Sequence, residues 1–97
     1  MSGLRDALDP EEISTRLVSF PHWHMESAAL HSVLPLKAYL DGVVLIAQLA
    51  QIAEELDHHP RLTLNYDSIA IRVNTHLPPG ISALDFLFVE RVEGLRS

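Results

Sequence analysis

The chain contains no cysteine. Disulfides, thiol nucleophiles and cysteine-based zinc sites are therefore excluded, and a reducing cytoplasm is the natural setting. Glycine is sparse, with four in 97 residues, and none builds a Gly-rich phosphate loop. Basic residues are also few: seven Lys and Arg stand against thirteen Asp and Glu, for a formal net charge of −6. Nucleic acids are held by clustered Lys and Arg, so a nucleic-acid partner is not expected. The most apolar run, Val43 to Ala47, falls far short of the ~20 residues of a membrane-spanning helix, so no membrane partner is expected. Met1 to Asp6 has no basic stretch followed by an apolar one and does not read as a signal peptide. No G-x-S-x-G elbow and no H-E-x-x-H zinc motif is present.

What is present is an ordinary globular composition, 47% apolar and 21% charged. A chain of this length makes one domain that buries roughly 60–65% of its unfolded surface. Residues 1–8 are expected as a flexible tail and 9–97 as a single domain. Asp9-Pro10-Glu11-Glu12 announces a helix, with an Asp cap, Pro at the first helical position and Glu three residues after the cap; it should end near Ser19. Phe20 to Met25 and Ala29 to Leu36 read as two strands joined at Glu26-Ser27, with Trp23 buried. Pro35 cannot donate to a ladder, so the second strand should lie at an edge there or turn its N–H side outward.

Lys37 to His58 reads as a long helix. At 100° per residue, Tyr39, Val43, Ile46, Ala50 and Ala53 form one apolar stripe, and Leu45, Leu49, Ile52 and Leu56 a second beside it. The sheet can cover one stripe; the second is expected to meet a partner subunit. Pro60 ends the helix at or before His58. Thr63–Tyr66 and Ile69–His76 are the next strands, the latter with Ile69, Ile71, Val73 and Thr75 on one face and Ala70, Arg72, Asn74 and His76 on the other. Ser82-Ala83-Leu84-Asp85 resembles a capping box opening a last helix to Val92, with Leu84, Phe88 and Val92 inward. The order α-β-β-α-β-β-α defines an α+β domain with helices on one face of an antiparallel sheet.

Histidine is the abundant reactive residue, with six copies. Glu54 and His58 are four apart on a helix and should meet on one face, where a carboxylate fixes the tautomer of an imidazole and favours its protonated form. His59, just past the helix, points differently. The hairpin that begins after His59 should return His76 to the same end, making a three-histidine acid/base cluster. A metal is the rival use of such a cluster, with His22 and His24 as further ligands, but small structural zinc sites mostly use cysteine, and no metal site is expected.

Glu54-x-x-x-His58-His59-Pro60, then Thr75-His76, then Gly80-Ile81-Ser82-x-x-Asp85 resembles the pterin-4a-carbinolamine dehydratases. Trp23, Leu30, Leu34, Leu36, Tyr39, Gly42, Leu45, Leu49 and Ala53 keep that family's register, and the likeness covers about residues 9–92. The resemblance implies a four-stranded antiparallel sheet and homodimers or homotetramers, joined through the long helix or a sheet edge. It implies dehydration of a 4a-hydroxytetrahydropterin to the quinonoid dihydropterin, recycling the pterin cofactor of aromatic amino-acid hydroxylases, with no cofactor of the enzyme's own. By the same likeness His58, His59 and His76 are catalytic: His59 the acid at the 4a-oxygen, His58 (oriented by Glu54) a base or ring-binding group, and His76 a second acid/base. Asp85 matches a position near the pocket, where it serves as an orienting residue or as a helix cap. Leu62 stands where the family commonly has an aromatic able to stack on a pterin. The alternative that the fold family implies is a non-catalytic interaction protein, of the transcription-factor dimerisation or Rubisco assembly type; such a module has no need of all three histidines.

Overall fold

The structure, a computed structural model, describes residues 3–96. Helix α1 (Pro10–Leu17) starts where the local chemistry requires, with the Asp9 carboxylate accepting the Glu12 N–H at 2.8 Å and Pro10 in the first turn. Strands β1 (His24–Glu26) and β2 (Ala29–Pro35) form a hairpin, helix α2 (Tyr39–Leu56) follows, and β3 (Arg61–Leu64) and β4 (Ser68–Val73) form a second hairpin. The four make one antiparallel sheet in the order β1-β2-β4-β3. Two short strands, β5 (Thr75–His76) and β6 (Pro79–Gly80), pair as a separate ribbon before α3 (Ala83–Glu93). The expected α+β order therefore holds, with this ribbon added.

Period-two alternation sends Leu30, Leu34, Ile69, Ile71 and Val73 to the helix side of the sheet, where they are buried with Leu49, Ile52, Phe88, Val89 and Val92. Burying each of these side chains contributes roughly 1.5–3 kcal/mol, which makes this shared core the main stabilising element. Gly42 lets α2 pack closely on Leu64 of β3 and on Leu36: a Cβ there would lie 2.5 Å from a Leu64 methyl and 2.7 Å from a Leu36 methyl. Pro35 is tolerated for the expected reason. β1 pairs only with residues 29–31 of β2, so at Pro35 the strand has β4 on one side alone.

Five expectations are corrected. The first strand begins at His24, not Phe20, because Phe20 to Trp23 form a turn closed by the Trp23 N–H to the Phe20 carbonyl at 3.0 Å. Its aromatics pack inward from that turn, Trp23 buried and the Phe20 ring 6.2 Å from Phe86. The hairpin turn is Ser27-Ala28, with φ of 49° and 62°, the left-handed pair that matches strand twist in a two-residue loop. The long helix spans Tyr39–Leu56 rather than Lys37 to His58, and it closes within the limit set by Pro60 because Asp57 adopts a left-handed conformation (φ 49°). The Asp57 and His58 N–H groups then turn back onto the Glu54 and Ala53 carbonyls, the paired bonds of a Schellman ending.

The stripes on α2 do not divide as expected: Leu49 and Ile52 of the second are buried together with Ala53 of the first, while Tyr39 and Val43 of the first, and Leu40 and Val44 outside both, remain exposed. Periodicity measures the width of an apolar face and does not say which half meets the sheet. Finally, residues 4–8, placed in the expected tail, are bonded into the domain. The Leu8 N–H donates to the Ile81 carbonyl (2.8 Å), the Leu84 N–H to the Leu4 carbonyl (3.0 Å), and Ala7 bridges Ser82.

Candidate active site

The site is built at the junction of the α2 ending, the β4–β5 turn and the start of α3. Ser82 caps α3, and the Asp85 carboxylate reaches back to accept the Ser82 N–H through Oδ2 at 2.8 Å, the acid half of the capping box. The same Oδ2 accepts the Thr75 hydroxyl at 2.8 Å, and the Thr75 and Ser82 hydroxyls lie 2.7 Å apart. The other oxygen, Oδ1, accepts the Nε2–H of His58 at 2.5 Å. Asp85 is fully buried and His58 is 7% exposed. A buried carboxylate is tolerable only with its lone pairs engaged, and here backbone, hydroxyl and imidazole donors engage both oxygens.

His58 therefore does not pair with Glu54 as the four-residue spacing suggested. The left-handed turn at Asp57 takes His58 off the helix and drives it inward to Asp85. Glu54 instead pairs with His59, Oε2 to Nε2 at 2.5 Å, in an exposed contact. The two adjacent histidines thus receive separate carboxylates, one buried and one in water.

The returning hairpin does bring His76 to the same place. A hollow of about 320 Å³ is lined by His58, His59 and His76 with Asp57, Asn74, Thr75, Leu77 and Arg5. Arg5 is the residue that sequence reasoning missed: its guanidinium donates to the Asp57 carbonyl at 2.6 Å and fixes the lip of the hollow. Leu62, His22 and His24 do not join it. Leu62 is half-buried against the hydrophobic core and does not line the hollow. His22 lies outside the strands and uses its carbonyl to accept the Ser32 hydroxyl at 2.8 Å. Among the described residues, no three His, Cys, Asp or Glu side chains are placed so that they could hold one metal ion.

A buried Asp–His pair beside two solvent-facing histidines places groups able to give and take protons around one hollow. Residues 6–95 match the profile of the family described as Pterin 4 alpha carbinolamine dehydratase. The chain belongs to that family. A relative from Streptomyces avermitilis, provisionally named a pterin-4-alpha-carbinolamine dehydratase, is 35% identical over 91 residues, covering 93% of this chain and 90% of its own. One from Halobacterium salinarum under the same provisional name is 30% identical over 93 residues, covering 96% of this chain and all of its own. The fold matches the crystal structure of a transcriptional coactivator/pterin dehydratase from Brucella melitensis with TM-score 0.89 at 23% identity, over 95% of this chain and 100% of that one. A pterin dehydratase-like RuBisCO assembly factor of the alpha-carboxysome matches with TM-score 0.62 at 18% identity, over 77% and 89%.

Proposed function

We propose that this chain dehydrates a 4a-hydroxytetrahydropterin to the quinonoid dihydropterin and water, recycling the pterin used by aromatic amino-acid hydroxylases in the cytoplasm. The observation that carries this reading is the gathering of His58, His59 and His76 around one hollow, with His58 locked by buried Asp85. In the reaction the C4a–O bond breaks, the departing oxygen takes a proton, and N5 loses its own as the C4a–N5 double bond forms. His59, exposed and paired with Glu54, acts as the acid at the 4a-oxygen. With Nε2–H donated to the Asp85 carboxylate, a neutral His58 has Nδ1 as its acceptor nitrogen, which suits it to be a base or a ring-binding group. His76 acts as the second acid/base. Each positioned imidazole contributes about 10²–10⁴ in rate. No metal or organic cofactor takes part in this scheme.

The protein in this reading works as a homodimer or homotetramer. Leu40, Val43 and Val44 are 74%, 51% and 63% exposed on one side of α2, and Ala47 and Ala50 continue the same line. This is the heptad-like seam that a second copy of the helix would cover. Purified protein should accelerate carbinolamine dehydration, and His59→Ala or His76→Ala should abolish the acceleration. Wild-type turnover no faster than either variant would discard the enzyme reading in favour of the interaction protein.

A further inference from the structure

The face of the sheet turned away from the helices carries a second cluster, separate in its residues from the histidine hollow. Register places His24 opposite His31, His31 opposite Arg72, and Arg72 opposite Arg61. One cross-strand row thus runs through all four strands, with every member cationic or able to become so. Like charges directly opposite each other destabilise a sheet, and this row occurs in a chain of net charge −6. Among the described residues Arg5, Arg16, Arg91 and Arg96 each have a carboxylate partner; Arg61 and Arg72 form no ion pair. The two arginines without a carboxylate partner are the two that face each other.

The remaining contacts leave the row under-neutralised. Arg72 donates to the Ser27 carbonyl at 2.6 Å, an uncharged acceptor. Glu26, an acid that lines the same hollow, is hydrogen bonded to His24 at 3.1 Å, and that bond, with His31 and Arg72 nearby, holds its carboxyl below the ordinary value. The Nε2 of His31 is buried and has no hydrogen-bond partner. A hollow of about 290 Å³ opens here, lined by Glu26, His31, Arg61, Thr63 and Arg72 among others. The guanidiniums of Arg61 and Arg72, whose planar forks suit oxyanions, and the Thr63 hydroxyl match the acceptor oxygens of a phosphate group.

We infer that this hollow binds a small molecule carrying a phosphate group. The inference does not rest on the dehydratase reading, and its test needs no turnover. Titrate the intact protein with inorganic phosphate and with pyrophosphate at matched ionic strength against a chloride control, following backbone amide shifts and unfolding temperature. The expected result is a saturable shift at His31, Arg61 and Arg72 and a rise in unfolding temperature, with affinity falling about tenfold in Arg61→Gln and in Arg72→Gln. Both side chains lie on the face of the sheet away from the core, and the unfolding transition of each variant without ligand verifies its fold. Shifts that grow linearly without saturation, or that are unchanged in both variants, would overturn it. So would saturable binding of an acidic peptide or single-stranded DNA at this face where phosphate and pyrophosphate neither bind nor compete.

Discussion

Asp85→Asn is the sharpest perturbation of the site, because it keeps shape and removes charge. Asp85 accepts three close bonds, from the Ser82 N–H and the Thr75 hydroxyl at Oδ2 and from His58 at Oδ1. An asparagine can keep its carbonyl oxygen toward Ser82 and Thr75, but its NH₂ then faces His58 Nε2. His58 must answer with a lone pair there, moving its proton to Nδ1 and losing the acceptor that the proposed chemistry uses. Hydrogen bonds to charged groups contribute about 1.5–3 kcal/mol and neutral ones about 1, so converting three should cost roughly 2–3 kcal/mol. In a domain of this size that lowers the unfolding temperature by roughly 10–20 °C.

The expected rate loss is about 10²–10⁴, that of a positioned acid/base group in the wrong tautomer. Nitrogen NMR of the His58 ring reads the tautomer directly, urea unfolding reads the stability, and single-turnover dehydration reads the rate. Asp85→Ala should cost more, about 3–5 kcal/mol, because it strands His58, Thr75 and the Ser82 N–H inside the protein. Asp85→Asn with Nε2 still protonated and unchanged turnover would refute the claim that this carboxylate sets the state of His58.

Three further outcomes are expected. Asp57→Val should destabilise by about 1–2 kcal/mol, since a β-branched residue resists the left-handed conformation, whereas Asp57→Gly should leave the melting curve unchanged or raised. Replacing Ser27-Ala28 by Asn-Gly should raise stability by about 0.5–1 kcal/mol in urea unfolding, because both residues sit at positive φ; no gain would mean that the turn does not strain them. Glu26 should titrate below its ordinary value of 4.5, so its contribution to stability is present above that pH and fades as the pH falls through the lowered value. His24→Ala should bring it back up in a carboxyl-carbon NMR titration, since the His24 bond is the leading cause.

The local features of this fold were legible in the sequence wherever a few adjacent residues carry the whole instruction. Asp9-Pro10 and Ser82-x-x-Asp85 start helices by chemistry contained within four residues, and both helices begin there. The inward set Leu84, Phe88 and Val92 follows from period alone and is buried. What sequence spacing could not supply was the direction taken after a backbone reversal. Glu54 and His58 share a helical face on paper, yet one left-handed residue between them sends His58 to Asp85, 27 residues away in sequence. Arg5 was invisible for the same reason, since its bond to Asp57 joins residues 52 apart and nothing in Leu4-Arg5-Asp6 announces it. The exposed half of α2 was misassigned because periodicity marks the apolar positions without saying which of them meet the sheet, and Leu49, Ile52 and Ala53 are the ones that enter the core.

Asp85 reads in the sequence as a helix cap or a site residue, and the geometry has it cap α3 and hold His58 at once. One carboxylate oxygen takes the capping bond and the Thr75 hydroxyl, while the other takes His58. These roles reinforce each other. A carboxylate that only capped would sit more cheaply in water, and one that only held His58 would be a buried charge with a single donor. The N-terminus of α3 supplies the favourable field and the backbone donor that let a negative charge remain inside the protein. That charge in turn fixes the ring that the two exposed histidines flank. The start of α3 and the orientation of His58 are therefore one structural decision, made by the same four residues, Thr75, Ser82, Asp85 and His58.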